Sequence, residues 1–364
     1  MASVNPPASP SLLRWLRFPL LVALLPCIAS GLLYGSQTIE GMHDAIMPLM
    51  MATQLLVILA FLLIVLWWTF FSGVRWTTRL LGLFVSFGAA AGFVASVRNV
   101  EFVHSRFLGL APRFEFRWQP TTDELINAHR SKQTEDEQPA IDLTIRSDDF
   151  PRYRGVNADG VAKVAPFATD WAKSPPKELY KQPCGGGYAG FAVAGNVAIT
   201  AEQRGTKEVV VCYDRATGRE RWKHEYPAYH KDVMGDGPRA TPVIHDGLVY
   251  NVGATGEFVC LDGKTGEKKW SVNALADNNA KNIQWGLTGS PLIVDGLVVV
   301  NVGIDPANPA KNALAAYDRV TGKKVWTAGD RKASYCSPQL VKLGGVPQIL
   351  LFDGGGLVSY DPAT

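Results

Sequence analysis

The chain has 364 residues, 47% of them hydrophobic and 19% charged, with a formal net charge of +3. That length and apolar share allow a sizeable core and more than one domain. The small, scattered charge forms no basic stripe of the kind nucleic-acid binding needs, so no nucleic-acid partner is expected.

Near the N-terminus, Phe18 to Ile39, Ala45 to Val74 and Leu80 to Val97 carry no charged residue. Crossing the hydrocarbon takes about 20 apolar residues. Three transmembrane helices are therefore predicted within residues 15–97, behind a cytoplasmic tail at 1–14, and the third is the shortest. A cleaved signal peptide would show one such stretch and a small-residue cleavage site, with no further spans. Cys27, after Leu-Leu-Pro, is a poor lipoprotein signal. Arg14 and Arg17 precede the first stretch, the loop from Gln37 to Asp44 holds no Lys or Arg, and Arg75 and Arg79 lie between the second and third. The positive-inside rule then places everything beyond Val97 outside the cytoplasm, in a bacterium the periplasm, although Arg98 and Arg106 lie on the wrong side for it. Trp67, Trp68 and Trp76 fit an aromatic belt. The expected location is a multi-pass protein of the inner membrane, with lipid as its first partner.

Residues 98–148 are polar, with TTDELINAHRSKQTEDEQP at their centre, and read as a solvated linker holding one short helix over Asp123 to Gln133. From Asp149 the composition turns to Gly, Pro, aromatic and β-branched residues. One pattern then recurs: a small or aromatic residue, Asp, two residues, Thr-Gly, three residues, Trp. It reads CYDRATGRERW from Cys212, CLDGKTGEKKW from Cys260 and AYDRVTGKKVW from Ala316. A fourth copy, SYDPAT, reaches Thr364 one residue before its expected Gly, and a longer parent protein is expected on that ground.

Each copy resolves into strands. In the second, TPVIHD, LVYNVGA, EFVCLD and KKWSVN are separated by Asp246-Gly247, Thr255-Gly256 and Thr265-Gly266. These dipeptides supply the positive φ that tight hairpins need. Four antiparallel strands in each repeat make a propeller blade. The expected fold class is thus an N-terminal three-helix transmembrane region followed at 149–364 by an all-β propeller, of which about four blades are present. The repeated Asp caps its own turn and the Trp wedges between blades, so Asp214, Asp262, Asp318, Trp222, Trp270 and Trp326 are structural. Of five cysteines, Cys212 and Cys260 fill a slot taken by Ala316 and Ser359 elsewhere, and are expected to be buried free thiols.

This repeat resembles that of the pyrroloquinoline quinone (PQQ) family of propellers, including the non-enzymatic lipoprotein of the outer-membrane barrel-assembly machinery. DDFPRYRGVNADGVA, from Asp148, resembles the family's Trp-Pro-x-x-Arg-Gly opening with Phe150 in place of Trp. The resemblance implies a ring of seven or eight blades. It also implies that Glu178 to Pro183 is an outer strand completing the last blade, with Tyr180 in the Trp slot.

Ligands of propellers bind where loops enter the innermost strands. Here those loops are Cys184 to Phe191, Gly235 to Pro242, Gln284 to Pro291 and Lys332 to Pro338, aligned on their Thr-Pro or Ser-Pro. They offer Tyr188, Asp236, Arg239, Gln284, Trp285, Thr288, Lys332 and Tyr335, a set suited to a planar anionic ligand. Arg239 and Lys332 could neutralise carboxylates, Trp285 could stack on a ring, with Tyr335 and Tyr188 in the same set, and Asp236 could act as base or metal ligand. The alternative is structural: Asp236 and Arg239 pair with each other or with neighbouring blades, and Trp285 packs as core. His224 and His230 lie on a loop between blades at a spacing that suits no metal site.

The resemblance implies either a scaffold that binds a ligand or an envelope protein, or a PQQ-dependent dehydrogenase oxidising a sugar or alcohol and reducing membrane quinone. The enzymes hold PQQ on a Trp floor with Ca²⁺ bound by Glu, Asn and Asp. Alcohol-oxidising members add a vicinal Cys-Cys, which this sequence lacks, and no Ca²⁺ ligand can be matched. Membrane-bound glucose-oxidising members also lack that pair and carry N-terminal membrane helices.

Overall fold

The computed structural model describes residues 18–24, 27–28, 46–71, 73–105, 109–132, 138–163, 166–232, 235–305, 307 and 312–363. These fall into two compact units, residues 1–119 and 120–364.

In the first unit, helix α1 (Ile46–Leu66) runs into a π-helical turn at Trp67–Phe71, and helix α2 spans Trp76–Ser96. Backbone carbonyls freed at the junction are taken up by Arg79, whose Nε donates to Val74 O at 2.8 Å and Nη1 to Thr69 O at 2.7 Å. α2 has no buried residue and exposes Leu80, Leu81, Phe84, Val85 and Phe87. It is long and apolar enough to cross a membrane; the stretch Leu55–Phe71 is apolar but shorter. Most of the first predicted span lies outside the described residues. The segment read as a polar linker begins with an antiparallel hairpin, β1 (Val97–Ser105) on β2 (Gly109–Phe116).

The second unit opens on helix α3 (Thr122–Arg130), which starts one residue before the predicted helix at Asp123 and ends three residues short of its predicted end at Gln133. Thr121 and Glu124 close a capping box, which satisfies two otherwise unpaired N–H groups and fixes where the helix starts. Four antiparallel sheets follow. The first blade is β3 (Ala192–Ala194), β4 (Val197–Arg204), β5 (Lys207–Asp214) and β6 (Glu220–Pro227). The second is β7 (Val243–His245), β8 (Leu248–Val252), β9 (Glu257–Asp262) and β10 (Lys268–Asn273), the last leading into the single turn α4 (Ala274–Asp277). The third is β11 (Leu292–Val294), β12 (Leu297–Asn301), β13 (Leu314–Asp318) and β14 (Lys324–Ala328). The fourth has β15 (Gln339–Leu343), β16 (Val346–Asp353) and β17 (Gly356–Tyr360). Strands pair in chain order, as in a propeller blade.

The apolar cores lie between sheets. Ile199, Val210, Cys212 and Trp222 of the first blade pack on Ile244, Val249 and Leu261 of the second. Tyr250, Phe258 and Trp270 of the second meet Val298, Val300 and Tyr317 of the third. Leu292, Leu314 and Ala316 of the third meet Ile349 and Leu351 of the fourth. Cys212 and Cys260 are buried free thiols, as expected, and burial pushes both up to about 12.

The repeat motif is explained by its contacts. In the first copy Asp214 Oδ1 accepts from the amides of Ala216 and Thr217 and from the Thr217 hydroxyl, at 2.9–3.1 Å. Asp318 repeats this with Val320 and Thr321. The Trp that ends one copy then lies over the Gly of the next. A Cβ on Gly266 would sit 2.5 Å from the Trp222 ring, and one on Gly322 2.7 Å from Trp270. The same Trp donates Nε1–H to the carbonyl just after the next Asp: Trp222 to Gly263 at 3.0 Å, Trp270 to Arg319 at 3.1 Å. Tyr180 does likewise on the first blade, its ring 2.5 Å from a Cβ placed on Gly218 and its hydroxyl donating to Arg215 O at 3.0 Å. Tyr180 thus fills the Trp slot that its sequence position implied, although Glu178 to Pro183 is not in a strand.

The opening segment laces the inner strands. Phe150 pairs with Val193 of β3, and Pro151 O accepts from Ile244 N of β7 at 2.8 Å. Behind it the buried Asp149 carboxylate takes Arg146 N, Gly195 N and Arg215 Nη1 at 2.9–3.1 Å.

Candidate functional site

The four loops that enter the inner strands are joined by a chain of hydroxyls. Gly190 N donates to Thr241 Oγ1 at 3.2 Å, Thr241 N to Ser290 Oγ at 2.9 Å, and Ser290 N to Ser337 Oγ at 2.9 Å. Each Thr or Ser stands directly before its Pro, so the aligned Thr-Pro and Ser-Pro pairs stitch one blade to the next. The Pro alignment was visible in the sequence; the acceptor lies on a neighbouring blade, and local spacing could not show it. Ser290→Ala should cost about 1–2 kcal/mol by leaving the buried Thr241 N–H without its acceptor. Chemical denaturation would check this.

On the first two loops the structure brings together Tyr188, Asp236 and Arg239. Asp236 Oδ2 accepts from the Tyr229 hydroxyl at 2.5 Å, and Oδ1 from Asp232 N at 3.2 Å. Tyr229 is consequently pushed up to about 12, first by that bond and then by burial. The Arg239 side chain is nearly buried. It donates Nη1 to Gly237 O at 2.5 Å and Nη2 to Gly235 O at 2.9 Å, with Asp232 at 3.9 Å. Its guanidinium lies 5.4 Å from the centre of the Tyr188 ring, a cation–π distance, and Tyr188 itself is 59% exposed. These contacts hold the loop's own shape. Gly235 has φ +131, and a Cβ there would lie 2.8 Å from the Tyr188 hydroxyl, so the aromatic seats directly on loop backbone.

On the third and fourth loops Trp285 and Tyr335 come together, ring centres 4.7 Å apart at 34°, each about 40% exposed. Thr288 Oγ1 donates to Tyr335 O at 2.8 Å and fixes the spacing of the two loops. Trp285 is therefore a half-open ring rather than core. The Lys332 side chain is exposed, while its carbonyl accepts from Gly354 N at 3.2 Å. His224 lies inside β6 rather than on a loop, and burial lowers its pKa. His230 stays on the loop, lowered by burial and then by Arg239. Among the described residues no group of three or more His, Cys, Asp or Glu is placed to hold a metal ion.

A family model described as outer membrane protein assembly factor BamB, built on the PQQ-type repeat, matches residues 168–284 and 206–364. The chain belongs to this PQQ-repeat family. Among curated proteins, the PQQ-repeat chain is similar to the quinohemoprotein alcohol dehydrogenase ADH-IIG of Pseudomonas putida, 31% identical over 34% of this chain and 17% of that protein. It is also similar to ADH IIB of the same organism, 29% identical over 42% of this chain and 24% of that protein. A solved quinohemoprotein alcohol dehydrogenase from Comamonas testosteroni aligns at 15% identity over 62% of this chain and 50% of that one, with a TM-score of 0.35. The chain spans less than a quarter of the length of these two curated relatives.

Proposed function

We propose that this is a membrane-anchored binding propeller, its blades on the periplasmic side of the inner membrane and its loop ring receiving a planar ligand or a partner segment. The observation that carries the reading is the Trp285–Tyr335 pair, contributed by two blades and half-open to solvent. Asp236 and Arg239, by contrast, are engaged by Tyr229 and by carbonyls of their own loop. That division suits holding a ring better than proton transfer. The rings and the exposed Lys332 suit the planar, anionic PQQ, while the described residues offer no group of three or more His, Cys, Asp or Glu for Ca²⁺. The anchor rests on α2, long and apolar enough to span, and on the charge-free stretches before it. A complete ring of seven or eight blades belongs to the same proposal.

The test is a titration of the full-length protein with PQQ, with and without Ca²⁺, followed by tryptophan fluorescence. Saturable quenching is expected, and Trp285→Ala should weaken it about tenfold, the ~1.4 kcal/mol of one lost stacking contact. Unchanged affinity in Trp285→Ala would remove the site. For the topology, a reporter fused after Val97 should be active only outside the cytoplasm.

A second reading is a PQQ-dependent dehydrogenase, favoured by the names of the P. putida relatives. Asp236 would then be the base, Arg239 and Lys332 the clamps, and Trp285 the stacking floor. Dye reduction that requires an alcohol or sugar and is lost in Asp236→Asn, with PQQ affinity retained, would establish it over the binding module.

A further inference from the structure

Helix α2 passes into β1 without a loop. Val97 is already extended, yet its N–H still donates to Phe93 O and Val94 O of the last helical turn. Where β2 ends, Arg117 N donates to Ser96 O at 2.8 Å, so both strands are tied to the end of the helix. Gln119 locks this base. Its side-chain oxygen accepts from Phe116 N at 2.8 Å, and its carbonyl accepts from Arg98 Nη1 at 2.9 Å.

The base of the hairpin has two unlike faces. Residues paired across two strands share a face, and successive residues alternate between faces. Val100 and Phe114 therefore stand with Val97 and Phe116 on one side. Asn99 and Glu115 share the other, where Arg98 approaches Glu115 at 3.7 Å. The aromatic side turns onto α2. Phe93 meets Phe114 and Phe116 edge-on, with ring centres 5.2 and 6.0 Å apart, and Trp118 stacks on Phe116 at 4.5 Å. Phe93 covers only part of this face. Val100 and Phe114 stay exposed, and Trp118 is 69% exposed. A two-stranded hairpin is marginal in water unless its apolar face is covered.

The helix indicates the cover. A helix that is apolar all round belongs in a protein core or in a membrane, and α2 has no buried residue. Its two ends are marked alike. Trp76 is exposed at the start, with the Arg79 guanidinium 5.1 Å from its ring centre, and Phe93 with the hairpin aromatics marks the finish. Trp76 and Phe93 are about 26 Å apart at the helical rise of ~1.5 Å per residue. Aromatic side chains collect at both edges of a hydrocarbon layer about 30 Å thick. Phe93 lies one turn short of the helix end, so the rings that reach it stand at the edge of that layer.

We propose that the base of the β1–β2 hairpin is a lipid-contacting collar at the end of α2, with Phe114, Phe116 and Trp118 among the lipid headgroups and Arg113 and Glu115 towards water. This rests on α2 spanning the membrane, as proposed above.

The experiment places nitroxide labels on the full chain, reconstituted in vesicles of phosphatidylcholine and phosphatidylglycerol. Cys27, Cys184 and Cys336 are exposed and are replaced by Ser; Cys212 and Cys260 are buried and stay. Labels are set singly at Phe114→Cys, Trp118→Cys, Arg113→Cys and, midway along α2, Phe84→Cys. Collisions with oxygen and with an aqueous nickel chelate then report depth. The Phe114 and Trp118 labels should favour oxygen and lie about 5–10 Å into the headgroup–acyl boundary, as interfacial elements do. The Arg113 label should favour nickel, and the Phe84 label should lie deepest. Trp118 is the most exposed of the aromatics, so its label reads the face even where Phe114→Cys disturbs packing on Phe93. A deep Phe84 label with Phe114 and Trp118 labels as open to nickel as Arg113 overturns the collar and leaves the anchor. A Phe84 label open to nickel removes the anchor and the collar with it. Phe114 and Trp118 labels shielded from both reagents, or broadened by a second copy until unlabelled chain dilutes it away, mean that protein covers the face, which also overturns the proposal.

Discussion

Trp270→Ala is expected to lower the unfolding free energy of the β unit by about 3–5 kcal/mol, the range for deleting a large buried aromatic. Trp270 is 8% exposed and meets Phe258 edge-to-face at 5.0 Å. Its ring also covers Gly322, where no Cβ could fit. The deletion therefore empties the space between the second and third blades instead of trimming one sheet. Trp270→Phe keeps much of the ring but loses the Nε1–H bond to Arg319 O, and should cost about 1 kcal/mol for that bond in addition to the lost volume. Urea unfolding of both variants checks the order. A loss in Trp270→Ala no larger than in Trp270→Phe would mean that the wedge does not hold the blades together.

Glu208→Ala should cost about 2–3 kcal/mol, because it strands a buried donor between the first and second blades. Glu208 is fully buried on β5, accepting from the Tyr226 hydroxyl and from Ala254 N of the next blade, both at 3.0 Å. Burial is the main cause raising its pKa above 4.5; the Tyr226 and Ala254 bonds oppose it, Glu257 adds to it, and Arg239 lowers it. The sign for stability follows. Below about 4.5 the carboxyl is protonated in both states and its contribution is complete. As the pH rises, the unfolded chain releases its proton first, so stability falls until the folded pKa is passed. Glu208→Gln keeps an acceptor for Ala254 N and cannot ionise. It should flatten this part of the pH profile and match or exceed the native protein above neutrality. A pH–stability curve unchanged by Glu208→Gln would show that the carboxyl does not titrate across folding.

The blade layout was legible because β structure has short rules. Asp246-Gly247 sits at φ +48 and +74, the conformation that a two-residue hairpin turn requires, so the turn could be placed from residue type alone. The recurring Asp-x-x-Thr-Gly is likewise local, with every bond to Asp214 Oδ1 coming from residues two or three positions away. The candidate site was legible only as a set of loops. Nothing near Asp236 in the linear motif shows that Tyr229 would take its carboxylate, and nothing near Trp285 shows that its ring partner is Tyr335 on another blade. Residues 98–148 were under-read for a similar reason. Their hairpin pairs β1 with β2, and their helix is held to the first blade by Ile126 and Arg130, contacts that a polar composition hides.

By itself, then, the sequence determined the repeat, the strands and turns within it, the apolar N-terminal stretches and which residues lie on the loops that enter the inner strands. Each follows from the conformational freedom of Gly and Asp, the period of a strand or the length of an uncharged run, all read within a few residues. The tertiary structure alone decided which loop residues are held and which face solvent, that Thr241, Ser290 and Ser337 bond across blades, and that α3 docks on the first blade through Ile126 and the Arg130–Glu220 pair. Those outcomes depend on contacts between chain segments distant in sequence, and only the packing of one sheet on the next sets their partners.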